Sequence, residues 1–183
     1  GGSHDKVNEN AIQQYLDEGI HHASVEYRFL KHADFPAAHE DCIRALQFIR
    51  TKSKEWGIDK NRIAAYGGSA GAQLVAYLAW GDDFANLKSE DPVSRESSRL
   101  KAVAFWGGQS TMDMNWWVDN IPGYRKDFHA KKESKRKDLS FIERRALINE
   151  ISVINHITSD DPPTFMRYGM NPDDPIPSGL KRA

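Results

Sequence analysis

The chain has almost no cysteine, no surplus of charge and no long apolar run, and each shortage closes off a class of protein. One cysteine among 183 residues, Cys42, excludes an internal disulfide. Lys and Arg number 25 against 26 Asp and Glu, for a formal net charge of -1, so nothing argues for nucleic acid or an anionic membrane as partner. No stretch approaches the roughly 20 consecutive apolar residues that span a bilayer. No zinc-ligand cluster and no phosphate-cradling loop are present, so the sequence calls for neither metal nor organic cofactor. There is no internal repeat and no linker, and the length fits one domain with a substantial core. The chain opens at Gly1 rather than Met, so the lack of a leader says nothing of compartment.

What the chain does have is Tyr66-Gly67-Gly68-Ser69-Ala70-Gly71-Ala72. Residues 67–71 form a G-x-S-x-G pattern. Arg62-Ile63-Ala64-Ala65-Tyr66 before it is short, apolar and bounded by the turn-like Asp59-Lys60-Asn61. Gln73 to Trp80 after it is a helix former without a breaker. Strand, sharp turn and helix are the setting of a nucleophile elbow, and they separate it from a glycine-rich turn with an inert serine. Gly67 and Gly71 would let strand and helix approach closely, with Ala70 and Ala72 adding little bulk. Ser69 Oγ would stand exposed at the helix N-terminus, and the Ala70 amide would face a developing oxyanion.

Helical spacing runs from Lys6 to Leu16 and ends at Gly19. His22 to Arg28 alternates and carries β formers, which predicts a strand. A helix is predicted from Pro36 to Trp56, with Cys42 as a packed thiol on its apolar face and Gly57 as its stop. Further strands are expected over Arg62–Tyr66, Lys101–Trp106 and Pro163–Tyr168, and a further helix over Phe141–Asn149. The alternation predicts an α/β fold with a mainly parallel sheet and helices on both faces. Asp82 to Arg99 reads as a polar surface loop. Residues 109–140 break the alternation and read as a lid or pocket insertion. Their Met112, Met114, Trp116, Trp117 and Tyr124 would either line an acyl pocket or pack beneath a lid, and the Lys131–Lys137 run reads as a solvated face.

With these elements in order, the chain resembles the α/β-hydrolase fold, and within it the hormone-sensitive-lipase-like carboxylesterases and lipases of bacteria. The likeness rests on Gly67–Gly71, Glu26-Tyr27-Arg28-Phe29, Phe35-Pro36-Ala37-Ala38 with Asp41 and Ala45, and Trp56 to Ile63. It also rests on Ser152 to Ile157 leading to Asp161-Pro162-Pro163-Thr164-Phe165. No one of these segments is specific; their order and spacing are. The resemblance implies a serine hydrolase with Ser69 as nucleophile, acting on a small-molecule ester without a cofactor. It places the triad acid at Asp173, or at Asp174 one residue on, within Gly169 to Pro177. The oxyanion hole would combine Ala70 with glycine amides at Gly1 and Gly2, if these close the family's H-G-G-G loop. In another register, Gly1 to Lys6 matches a glycine–Asp–Lys stretch slightly later.

Triad order in this fold is serine, acid, histidine. The seven histidines are His4, His21, His22, His32, His39, His129 and His156, and none follows Asp173. The resemblance therefore implies a single partial domain over 1–183, with the histidine beyond Ala183 and the family's first three strands and last strand absent. Residues 22–28 and 62–66 would flank an empty slot, leaving the piece on its own inactive and poorly stable. A serine peptidase of the prolyl-oligopeptidase type shares the elbow. A carbohydrate esterase removing acetyl or feruloyl groups is a variant of the ester reading, and a non-catalytic hydrolase-like binding protein is the alternative outside enzymes.

Overall fold

The computed structural model describes residues 7–121, 124 and 138–169. It begins with α1 (Glu9–Asp17). The Asn8 side chain accepts from the Ala11 amide at 3.1 Å and so caps an orphan donor of the first turn. Gly19, at φ 70, turns the chain away afterwards. The helix expected over 36–56 forms as two, α2 (Ala37–Thr51) and α3 (Ser53–Trp56), with the break at Lys52. Arg50 is the last buried residue of α2, and its guanidinium donates to the carbonyls of Lys60 and Arg99. Past that anchor the chain has no fully buried residue before Gly57, and Trp56 packs edge-on against Phe48 of α2 at 6.0 Å. The chain turns back through Gly57, at φ 68, toward the sheet.

Three strands, β1 (Ala64–Gly68), β2 (Ala102–Trp106) and β3 (Thr164–Arg167), form a parallel sheet in the order β1-β2-β3. Ala64 pairs with Ala102 and Gly68 with Trp106, while Val103 pairs with Thr164 and Trp106 with Arg167. Side chains alternate across the sheet. Val103 and Phe105 of β2 are buried with Ala72, Val75, Ala76, Leu78 and Ala79 of α4 (Ala70–Trp80). Residues 72–79 of α4 are buried without interruption, because the helix lies between the sheet and α2, whose Leu46, Cys42 and Ile43 pack on its far side. An apolar surface all round is what such a sandwiched helix requires.

The opposite sheet face carries Tyr66, Trp106 and Phe165, each at least 46% exposed. α1 reaches this side through Tyr15, whose ring stacks on Tyr66 at 6.1 Å between centroids. Helices thus flank both faces, unequally.

The strand expected at 22–28 is absent. Among the described residues, 21–29 have no ladder partner and β1 is paired on one side alone. Two of their polar groups are engaged otherwise. The Arg28 amide donates to Asp41 Oδ2 at 2.8 Å, and His22 Nε2 meets Tyr66 Oη at 2.7 Å. An alternating pattern supplies a face, but a strand also needs a neighbour for its backbone.

Residues 82–99 lack regular structure, as expected, yet they are fastened down. Asp83 Oδ1 accepts from the Ser98 amide at 2.9 Å, Arg44 pairs with Asp91, and Val93 and Ser98 are buried. Beyond β2 come α5 (Met114–Asn120) and α6 (Phe141–Ile151). Ser140 and Glu143 form a capping box on α6, and Arg145 joins the two helices by a 2.6 Å ion pair to Asp113. Trp117 is buried with Tyr124 edge-on to it at 5.5 Å, whereas Trp116 is half-exposed.

Candidate active site

Gly68, Trp106 and Arg167 stand side by side at the carboxyl edge of the sheet. In an open parallel sheet that edge is where ligands bind. Ser69 leaves β1 there and opens α4 at once, with no intervening loop. Its backbone sits at φ 53, ψ -119, and it is the one described non-glycine residue at positive φ. Such a conformation costs on the order of 1–3 kcal/mol and persists where the surroundings over-determine it.

The surroundings do so here from both sides. The Ser69 amide donates to the Trp106 carbonyl at 3.0 Å, and the Ser69 carbonyl accepts from the Gln73 amide at 3.2 Å. A Cβ on Gly67 would fall 2.5 Å from the Gly71 carbonyl oxygen, so β1 and the first turn of α4 touch backbone to backbone. A Cβ on Gly68 would run into the Trp106 indole at 2.3 Å. Gly71 is different: a Cβ there would meet no described atom within 4 Å outside its own turn of helix. The close approach expected of both Gly67 and Gly71 is a property of Gly67, with Gly68 making room for an aromatic ring. On the other side of the turn, Ala72 is fully buried against the Gly108 backbone, where only a small residue fits.

Ser69 occupies the N-cap position of α4, yet its hydroxyl makes no capping hydrogen bond. A serine there ordinarily turns its oxygen onto an amide of the first turn. The positive φ swings the side chain away, leaving Oγ exposed and unengaged among the described residues. The Ala70 amide has no intrahelical acceptor at the first helical position, and the helix dipole adds partial positive charge there. One oxygen able to attack and one N–H able to receive negative charge therefore sit on adjacent residues.

No described histidine hydrogen-bonds Ser69. His156 Nε2 meets the Glu150 carbonyl, and its ring is edge-on to Tyr77 at 6.0 Å. Tyr77 lies about 12 Å of helix rise beyond Ser69, so His156 belongs to the far part of the helix, as the triad order suggests. Burial, with the Glu150 and Glu40 carboxylates adding to it, pushes the Tyr77 phenol up to about 12. Burial, helped by Asp41, likewise pushes the Cys42 thiol up to about 12, which makes it a packed and inert group.

Asp173, Asp174, Gly1, Gly2, His4 and His129 lie outside the described residues. The described chain leaves β3 through Tyr168 and Gly169 at the same edge as Ser69, with the Tyr168 hydroxyl donating to the Gly108 carbonyl at 3.2 Å. Among the described residues, no three His, Cys, Asp or Glu side chains gather as a metal ion would require. No described helix is long and apolar enough to cross a membrane.

Sequence reasoning missed a polar chain beneath the elbow. His39 of α2 is 1% exposed, and its Nε2 meets Gln73 Oε1 at 3.0 Å. Gln73 Nε2 donates to the Ile151 carbonyl at 2.7 Å. Burial pulls the imidazole pKa down to about 4. A histidine, a glutamine and a carbonyl so far apart in sequence leave no local signal that they will meet.

A family model described as BD-FAE matches residues 2–179. An arylesterase of Saccharolobus solfataricus is 41% identical over 70 residues, 37% of this chain and 23% of that protein. Esterase LipQ of Mycobacterium tuberculosis is 24% identical over 166 residues, 87% of this chain and 36% of that protein. The crystal structure of an acetyl ester-xyloside bifunctional hydrolase from Caldicellulosiruptor lactoaceticus superposes with a TM-score of 0.65 at 24% identity, over 90% of this chain and 54% of that one. At that identity the likeness is one of fold, the α/β-hydrolase fold. The chain spans about a quarter to a half of the length of these three relatives.

Proposed function

Because this chain belongs to the BD-FAE family, we propose that Ser69 is the nucleophile of a serine hydrolase that cleaves carboxylic esters through an acyl-enzyme. The observation that carries this is the serine at φ 53 on a strand-to-helix corner, with its hydroxyl withheld from the helix cap. Ser69 Oγ attacks the ester carbonyl carbon as a base takes its proton. The Ala70 amide receives the negative charge formed on the carbonyl oxygen. Collapse of the tetrahedral species breaks the bond to the alcohol, which leaves with the proton from the base. Water then repeats the sequence on the acyl-serine and releases the acid. Asp173 is the proposed acid that orients the base, supported by the exit of β3 at the Ser69 edge. The Gly1 and Gly2 amides are the proposed second oxyanion donors.

The test is turnover of a p-nitrophenyl ester by the full-length protein and by its Ser69→Ala variant. Loss of nearly all activity in a folded variant is expected, and retention of more than about a tenth of the rate would contradict the assignment, since losing a triad member removes orders of magnitude. An anilide with the same acyl group separates an esterase from a peptidase. Acetylated xylo-oligosaccharides belong in the substrate panel because one solved relative is named for an acetyl ester-xyloside activity. Binding of these esters without turnover would point to the non-catalytic alternative.

A further inference from the structure

We propose that His39 and Gln73 are positioning residues for the nucleophile elbow, forming a buried polar strut that fixes the first turn of α4 and with it the Ser69 hydroxyl and the Ala70 amide. The inference rests on the reading of Ser69 as nucleophile. Gln73 serves the elbow twice. Its backbone amide holds the Ser69 carbonyl at 3.2 Å. Its side chain, 3% exposed, is held at both ends, by His39 on α2 and by the Ile151 carbonyl at the end of α6.

The hydrogen-bond chemistry of the strut has one consistent solution. A carbonyl only accepts, so the amide nitrogen of Gln73 must face Ile151. That leaves Oε1 toward His39, and an amide oxygen only accepts. His39 therefore carries its proton on Nε2 and donates. Its Nδ1 is then unprotonated and makes no well-formed hydrogen bond among the described residues, although the Pro36 backbone near the ring favours the protonated form against the larger effect of burial. A buried acceptor without a donor costs on the order of 1–3 kcal/mol, and the neutral ring is the form that burial favours. Leucine at both positions would avoid that cost, whereas leucine at one leaves the other side chain's polar atoms unpaired.

What the polar chain adds is direction. Apolar contacts on α4 tolerate small slides and rotations of the helix. Two hydrogen bonds at opposite ends of one side chain do not, because each fails steeply with angle. They join three elements, α2, α4 and the end of α6, at the residue whose amide closes the first turn of the strained serine. The corner after α6 is fixed in turn to the segment following β2. Ser152 Oγ accepts from the Met112 amide at 2.9 Å, and the Ile154 amide donates to the Ser110 carbonyl at 2.9 Å.

The test measures the second-order rate at which a fluorophosphonate labels Ser69 in the full-length protein, beside the melting temperature. Gln73→Leu and His39→Leu are expected to slow labelling by about tenfold or more, since a full ångström of misplacement costs about a hundredfold and a loosened turn shifts the hydroxyl by part of that. The double variant His39→Leu/Gln73→Leu replaces both side-chain polar partners by apolar volume. It is expected to melt nearer wild type than either single variant while its labelling stays at least about tenfold slow. His39→Gln, which keeps a donor toward Gln73, is expected to recover much of the rate lost in His39→Leu. Labelling within about twofold of wild type in any folded variant lacking the strut would overturn the proposal, because stability alone would then explain the pair. Should the double variant not fold, failure of His39→Gln to label faster than His39→Leu would overturn it equally. Wild-type protein with no adduct at Ser69 would instead sink the nucleophile assignment on which the strut depends.

Discussion

Replacing Gly67 by alanine adds one methyl group at the tightest point of the elbow. The new Cβ would lie 2.5 Å from the Gly71 carbonyl oxygen, 2.6 Å from the Gly71 carbonyl carbon and 3.0 Å from the Ala72 nitrogen. All three atoms are backbone in the first turn of α4, so no side chain can swing aside. Relief to ordinary carbon–oxygen contact needs the helix start to move by about 1 Å relative to β1. Overpacking of this kind costs typically 1–3 kcal/mol, and an ångström at the reacting oxygen is worth about a hundredfold in rate. Gly67→Ala should therefore lose stability and, out of proportion to it, phosphonate labelling of Ser69 at temperatures where the variant is folded. Gly71→Ala is the matched control. Its Cβ meets no described atom within 4 Å outside its own turn of helix, and an alanine inside a helix is favoured over glycine by roughly 0.5–1 kcal/mol. Differential scanning calorimetry with active-site titration measures both quantities. Equal behaviour of the two alanine variants would refute the steric reasoning.

Gly68→Ala should displace the Trp106 indole, which lies 2.3 Å from the position of the added Cβ; tryptophan emission should shift, with a smaller loss of labelling than Gly67→Ala because a ring can move where backbone cannot. His39 should make stability depend on pH. Its folded pKa of about 4 lies below the ordinary histidine value of 6.5 because the ring is buried, so its contribution is complete above the unfolded value and lost as pH falls toward the folded one, by about 3 kcal/mol in all. Urea midpoints of wild type and His39→Gln between those limits should diverge by that slope, and parallel curves would refute the burial of a neutral ring. Arg50→Met removes the donors to the Lys60 and Arg99 carbonyls and should destabilise by about 2 kcal/mol or more, read as a lowered melting temperature; an unchanged value would show that water replaces the guanidinium freely.

The parts of the fold legible in the sequence are those written locally. Glycine spacing, a short apolar strand and an uninterrupted apolar helix sit within 62–80, and the structure forms β1, Ser69 and α4 there. β2, β3 and α6 also fall where their patterns place them, within a residue or two. What failed depended on partners distant in sequence. Residues 22–28 alternate like a strand, but the Arg28 amide goes to Asp41 and no neighbour among the described residues supplies a ladder. The stripe along 36–56 is helical throughout, yet α2 ends at Thr51, one residue after Arg50 is tied to two loop carbonyls, contacts that the stripe does not encode. The roles of Gly67 and Gly71 look alike in the motif and differ in space, because only one faces the opposing backbone. His39 and Gln73 read as unremarkable polar residues on two helices until packing brings them together.

The most direct measurement of the central assignment is the site of covalent modification. Trypsin releases Ser69 on the peptide Ile63 to Lys88. After treatment of the full-length protein with a fluorophosphonate, mass spectrometry should find one adduct on that peptide, fragment ions should place it on Ser69, and esterase activity should fall in proportion to its occupancy. Complete inactivation with the Ile63–Lys88 peptide unmodified, or an adduct that leaves turnover intact, would contradict the assignment of Ser69 as the nucleophile.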